Sequence, residues 1–356
     1  MTNLEVTAMN KVPYRIPQPN NMGIVRYILA FAVVIAHFNT LTDTDILWFP
    51  ITSGQAVGGF FALSGFLMAG SYLKRPDWKN FVISRCKRLL PAYWSTVLIF
   101  AVICVAFSSA DNYFVQSGFW KYLTANLSFL NFLHPTLPGV FDNNPTPVVN
   151  GSLWTMKVEW MLYLTVPFGI WLIMKFKRHV AITIMALYVA SAVYRLGMYH
   201  MYDETGSEIY AIMSRQFLGM LMYFYVGILV YYYLDLFLKW KWWILAISLV
   251  SLLAFSKVGF FHIVFDPLFV SLLVLWFSMV GKWGSFEGTR DNISYNIYLV
   301  HFPVIQIIVQ TGLTKSLGIG WSFAIAILII LAISWLICGL IEKPLQRRWK
   351  RNSISK

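Results

Sequence analysis

Charge is the first thing this sequence is short of. Of its 356 residues only 12% are charged, where a soluble domain carries about a quarter. Hydrophobic residues make up 58%, and the mean hydropathy is +0.63. A soluble enzyme of two domains is thereby excluded, and the length reads as a count of membrane helices. Cysteine is scarce too. Cys86, Cys104 and Cys338 show neither metal spacing nor a plausible disulfide framework, and no metal is expected. Acidic residues are outnumbered 15 to 28 by basic ones, for a net charge of +13. In a soluble chain that surplus would suggest nucleic acid. Here the basic residues lie in short segments between apolar runs, as in cytoplasmic loops, and nothing resembles a nucleic-acid-binding module. Such segments suit anionic lipid head groups and phosphorylated ligands instead. The N-terminal 22 residues are polar, contain Pro13, Pro17 and Pro19, and lack the apolar core and cleavage site of a signal peptide. The first apolar run is therefore expected to be an uncleaved anchor. Internal repeats and low-complexity tracts are missing as well.

What is present is a series of apolar runs. A helix needs about 20 apolar residues to cross the hydrocarbon core. Ten candidates occur: 23–41, 54–73, 91–107, 158–174, 180–197, 216–234, 242–257, 264–280, 293–312 and 321–341. The fold class this predicts is all-α, a polytopic integral membrane protein of about ten transmembrane helices. Alternate connections, starting with the N-terminus, hold 21 Lys and Arg, and the opposite set holds four: Lys121, Lys157, Arg215 and Lys315. By the positive-inside rule both termini are cytoplasmic. The organisation expected is a cytoplasmic segment 1–22, a transmembrane domain 23–346 and a basic cytoplasmic tail 347–356. One outward connection is long, 108–157. It carries Tyr113, Phe114, Phe119, Trp120, Tyr122 and Phe129 before Phe132 and Phe141, so order is expected there rather than disorder. The run 119–133 within it is too short and polar to span, and reads as an interfacial or re-entrant segment.

Ionisable residues inside membrane segments are costly and mark candidate functional sites. Arg26 and His37 share the first run. Eleven residues make three turns plus about 20°, so both lie on one helical face, about 16 Å apart along the axis. Snorkelling to the two interfaces would also account for them. In the second run, Gly58, Gly59 and Gly65 are small enough for close helix packing, and Ser64 is a hydrogen-bonding candidate. Arg85 and Arg88 are three apart, share a helical face and can grip a phosphate, although they also serve as a topology anchor. Glu159 stands just inside an apolar run near the outer surface. It is a candidate to pair with Lys157 or Lys121, or to orient or deprotonate a histidine, and His37 lies at a similar depth. His301 falls near the membrane centre, with Pro303 expected to bend its helix. Glu342, before Lys343 and Pro344, is a candidate partner for Arg85 or Arg88 at the inner rim.

Together these segments resemble acyltransferase family 3, the membrane O-acyltransferases of the bacterial polysaccharide and lipopolysaccharide type. The resemblance rests on Arg26 and His37 with ten residues between them, on Phe60 to Phe66, and on Arg85 with Arg88. It continues with Ser152-Leu153-Trp154-Thr155 running to Glu159, Ser294 to His301, and Glu342-Lys343-Pro344. The order is right from about residue 23 to 346. Two segments depart from the pattern. Glu159 is followed by Trp160-Met161-Leu162-Tyr163, and Arg26 is preceded by Gly23-Ile24-Val25. The resemblance implies transfer of an acyl group, most often acetyl, from cytoplasmic acyl-CoA to a hydroxyl of a cell-surface glycan or lipid-linked saccharide, in a bacterial inner membrane. It implies a stand-alone form without a C-terminal hydrolase-like domain. Acetyl-CoA is the expected co-substrate, with membrane lipids around the protein. His37 would be general base or acyl carrier and Glu159 its orienting group. Arg26, Arg85, Lys87 and Arg88 would hold the acyl-CoA, with Ser64, Trp154, Tyr298, His301 and Glu342 as further site candidates. A transporter or flippase for a saccharide or amphiphile is the alternative class, since buried charge and broken helices fit it too. A non-catalytic sensor or assembly subunit is a third.

Overall fold

The computed structural model describes residues 20–45, 47–255, 258–280 and 293–354, and helices account for most of them. Among those residues no strand occurs, and extended pairing is limited to an isolated antiparallel bridge between Ser108 and Val140. The principal helices are α1 (Met22–Thr42), α2 (Ser53–Lys74), α3 (Trp78–Ile103), α4 (Ser117–Leu127), α5 (Trp154–Lys175) and α6 (Val180–Thr205). They continue with α7 (Phe217–Tyr232), α8 (Lys241–Phe255), α9 (Asp266–Met279), α10 (Ser294–Gln310), α11 (Ile319–Ile337) and α12 (Lys343–Ile354).

Among the described residues each of the ten apolar runs falls largely on helix. Among the described residues seven helical stretches are long and apolar enough to cross a membrane: Met22–Thr42, Ser53–Lys74, Trp78–Phe107, Gly151–Lys175, Val180–Thr205, Glu208–Tyr232 and Ile319–Trp349. α8, α9 and α10 have 15, 14 and 17 residues. At about 1.5 Å per residue they reach only about 21–26 Å, short of the roughly 30 Å hydrocarbon core. A correction concerns residues 74–90, read as a connection. Most of that segment is the first part of α3, which runs on through Pro91. Asp77 starts this helix: its Oδ1 accepts from the backbone N–H of Asn80 at 3.1 Å, a side-chain cap on an otherwise unpaired donor. The basic connection 281–292 and residues 1–19 lie outside the described residues.

The described helices divide into two compact units. One takes residues within 1–29, 54–82 and 158–289, and the other those within 30–53, 83–157 and 290–356. In the first unit α2 and α7 approach so closely that side chains are excluded. A Cβ on Gly65 would lie 1.9 Å from the carbonyl oxygen of Phe224, and one on Gly227 would lie 2.1 Å from that of Ala62. Backbone contact of this kind is how helices associate where no hydrophobic force separates protein from solvent. Asn21, just before α1, bonds the end of α9 through its N–H to Ser278 and its side chain to Phe277.

In the second unit α10 is the buried centre. His301, Ile305 and Gln306 are fully enclosed, so the helix is covered on all sides rather than on one stripe. Tyr295 donates to the Leu89 carbonyl of α3 at 3.2 Å, and Asn296 to that of Ser334 on α11 at 3.2 Å. The long connection packs here too, as its aromatic content predicts. Tyr93 stacks on Phe129 and donates to the Asn126 carbonyl, and Gln306 bonds the carbonyls of Thr146 and Val148 at 2.8 and 2.7 Å.

Candidate functional site

The sharpest chemical arrangement lies in the second unit. His37 on α1 is half-buried, and its Nδ1 is 2.7 Å from Nε2 of the fully buried His301 on α10. The rings are parallel within 4° with centroids 5.0 Å apart, so they meet edge to edge rather than face to face. On its far side, Nδ1 of His301 lies 2.7 Å from the carbonyl oxygen of Tyr298 and 3.3 Å from that of Ile297. A carbonyl only accepts, so this nitrogen carries the hydrogen. In the neutral ring Nε2 is then a lone pair, and Nδ1 of His37 donates to it. His37 is left with its own lone pair on Nε2, the atom that can take a proton or attack a carbonyl. This is the logic of a base held by a third group that fixes its tautomer and orientation.

The segment around Ser152 braces the dyad. Asn150 donates to the Leu299 carbonyl at 2.8 Å and its Oδ1 accepts from the Ser152 hydroxyl at 2.7 Å. Ser152 also reaches the Tyr298 carbonyl at 3.3 Å, and Thr155 donates to the Tyr298 hydroxyl at 2.9 Å. Trp154 is half-buried in the same turn. Gly151 is required at its place, since a Cβ there would meet the ring of Phe302 at 2.7 Å. Phe302 in turn sets its edge against His37, centroids 5.2 Å apart. Two motifs distant in sequence are thus one packed unit with the first histidine.

Glu159 belongs to a separate group in the first unit. Its Oε1 accepts from the Tyr163 hydroxyl and from Ser64 at 3.2 Å, with Tyr163 and Ser64 themselves 3.5 Å apart. The ring that meets His37 is His301, and the carboxylate of Glu159 is held by two hydroxyls. Lys157 sits over the ring of Phe132 at 4.5 Å.

At the other end of the sequence motifs, Arg85 is half-buried on α3, and Lys87 and Arg88 are exposed. Glu342 lies in a π-helical turn, Cys338–Glu342, between α11 and α12. Its Oε2 accepts from Asn296 at 3.0 Å, and Arg88 acts on it electrostatically. Arg26 is half-buried in the first turns of α1.

Several partners have no obvious mark in the sequence. Asn150, Asn296 and Phe302 belong here, as does the pair His262 and Asp266, 2.7 Å apart at the start of α9, where a carboxylate suits the helix N-terminus. Tyr163 was accessible in principle, being four residues from Glu159 and hence on its helical face.

Residues 20–340 match the model of acyltransferase family 3, described as an acyltransferase domain, and the chain belongs to that family. An integral membrane acyltransferase is the class this defines. The chain is 22% identical to an O-acetyl transferase of Shigella phage Sf6, over 91% of its own length and 95% of the relative's. It is 23% identical to nodulation protein 10 of Rhizobium leguminosarum bv. viciae, over 91% and 92%. It is also 23% identical to a putative peptidoglycan O-acetyltransferase of Bacillus subtilis strain 168, over 86% of this chain and 54% of that one. No solved structure matches.

Proposed function

We propose that the protein transfers an acyl group, most simply acetyl, from cytoplasmic acyl-CoA to a hydroxyl of a cell-surface glycan or lipid-linked saccharide. One observation carries the reading: Nε2 of His37 is held as a lone pair by the bond from its Nδ1 to His301. The acceptor hydroxyl gives its proton to that nitrogen while its oxygen attacks the thioester carbonyl. A C–O bond forms, the C–S bond breaks, and the proton passes on to the departing thiolate. The same lone pair serves if the acyl group rests on His37 between two transfers. His301 accepts the Nδ1 hydrogen throughout and steadies the charge that develops on His37.

The names of two relatives, an O-acetyl transferase and a putative peptidoglycan O-acetyltransferase, support a hydroxyl acceptor and an acetyl donor. Arg85, Lys87 and Arg88 are placed by the charge bias on the cytoplasmic side, where CoA is found, and offer charge-assisted hydrogen bonds to phosphate. On the outward side, Phe114, Trp120 and Phe132 are exposed aromatic rings suited to the apolar faces of sugars. The membrane is then a bacterial cytoplasmic membrane, with both termini on its cytoplasmic side. The test is purified protein in detergent with radiolabelled acetyl-CoA and a panel of bacterial polysaccharides and lipid-linked oligosaccharides. Labelled, base-labile ester on a saccharide with release of CoA is the expected result. Label on none of them, from protein that still binds acetyl-CoA, overturns the acceptor class.

A further inference from the structure

The C-terminal helix α12 carries Arg347, Arg348 and Arg351, all exposed. Residues 347 and 351 are one turn apart, as are 348 and 351, so the three guanidiniums fan out over one side of the helix. With Pro344 they line an open depression of about 470 Å³ on the surface of α12. Among the described residues none of the three is engaged in an ion pair. Three cations around an open depression repel one another, and that arrangement is relieved by an anion. A second contact ties it to the donor residues. Lys87 of α3 sits 5.7 Å from the centroid of Trp349, within cation–π reach, so α12 and the basic stretch 85–88 of α3 share one positive surface.

We propose that Arg347, Arg348 and Arg351 bind the phosphorylated adenosine end of acyl-CoA, taking its 3′-phosphate in bidentate fashion. The proposal rests on the acyl-CoA reading above and gives it a binding site on α12. An anionic lipid head group offers the same phosphate chemistry, and the experiment separates the two sources.

Calorimetric titration of purified protein in uncharged detergent compares CoA with 3′-dephospho-CoA. The parent should bind CoA about tenfold or more tightly than the dephospho form, the effect of losing one charge-assisted hydrogen bond. The triple variant R347Q/R348Q/R351Q should bind both equally and weakly. Because removing three positive charges can disturb insertion, the triple lysine variant R347K/R348K/R351K is run beside it. Lysine keeps the charge bias but not the bidentate fork, so its discrimination should fall severalfold. Full discrimination in both variants overturns the site while leaving the acyl-CoA donor intact. No binding of CoA or acetyl-CoA by the parent overturns the donor reading itself. Repeating the titrations in nanodiscs of phosphatidylcholine with and without phosphatidylglycerol tests the other source. A difference between parent and variant that appears only with the anionic lipid assigns the arginines to head groups and overturns the proposal.

Discussion

Two polar groups, one of imidazoles and one of a carboxylate with hydroxyls, are built to opposite ends. In the second unit, His37 and His301 form a line in which each hydrogen has one destination, ending on the Tyr298 carbonyl and leaving one lone pair on Nε2 of His37. In the first unit, Glu159 receives two hydroxyl hydrogens on a single oxygen, from Tyr163 and Ser64. The first arrangement is prepared to gain a proton. The second is prepared to hold a carboxylate still. An ionisable residue in a membrane segment is therefore a weak clue alone, and its partners decide whether it is a base or a fixed charge.

The largest effect should follow at His37. His37→Gln keeps a hydrogen-bonding side chain but has no titratable nitrogen, and kcat should fall about 10²–10⁴-fold with unchanged acyl-CoA affinity and thermal stability. His301→Leu removes the acceptor that fixes the tautomer of His37. Its kcat should fall about 10- to 100-fold with little change in KM. His301→Gln, whose amide oxygen can accept from Nδ1 of His37, should recover part of that loss. Equal activity of the leucine and glutamine variants would break the relay, because a merely structural His301 gives no reason for the amide to rescue.

Much of this was legible beforehand, for definite reasons. Helical content and the apolar runs follow from composition, and the motifs single out His37, Glu159 and His301 one by one. Their partners do not follow. His37 and His301 are 264 positions apart, and no periodicity links two helices so distant in the chain. The axial coordinate alone puts Glu159 and His37 at a similar depth and does not show that Tyr163 and Ser64 hold the carboxylate. Span length is legible only in part. Hydropathy sees α8, α9 and α10 as apolar, but length is set by where each helix stops. α10 stops at Gln310, after which Gly312 takes the left-handed conformation with φ of 69°. The continuity of α3 was hidden because its first turns are basic, and charge there reads as a loop.

Glu159→Gln tests the second half of the comparison. The amide oxygen can still accept from Tyr163 and Ser64, so the variant should fold, and kcat should fall roughly tenfold through loss of the charge. A loss as deep as that of His37→Gln would mean that Glu159 takes part in proton transfer, and the contrast between the two groups would collapse. Gly65→Ala touches neither group. Its Cβ would stand 1.9 Å from the Phe224 carbonyl, so α2 and α7 must part. A cost of about 1–3 kcal/mol is expected, read as a fall of several degrees in Tm.

The smallest effect is expected at Asp77, and it asks whether α3 is one helix from its cap to Arg88. The backbone N–H of Asn80, foremost among several donors, holds the Asp77 carboxyl below the usual carboxylate range. A carboxyl whose folded value is depressed stabilises fully above its unfolded value of about 4, and the contribution fades as pH falls through the lower folded value. Asp77→Ala removes the cap and should lower Tm slightly at neutral pH. Asp77→Asn keeps an acceptor at the same place, because asparagine caps about as well as aspartate, but it cannot titrate. Its Tm should match the parent at pH 7 and exceed the parent below about pH 4, where the parent loses its charge. The difference between parent and Asp77→Asn cancels every other carboxylate, so the acid limb of that difference belongs to this cap. A flat difference across pH 3–7 would mean that Asp77 does not cap α3, and that the turn before Arg85 is a loop after all.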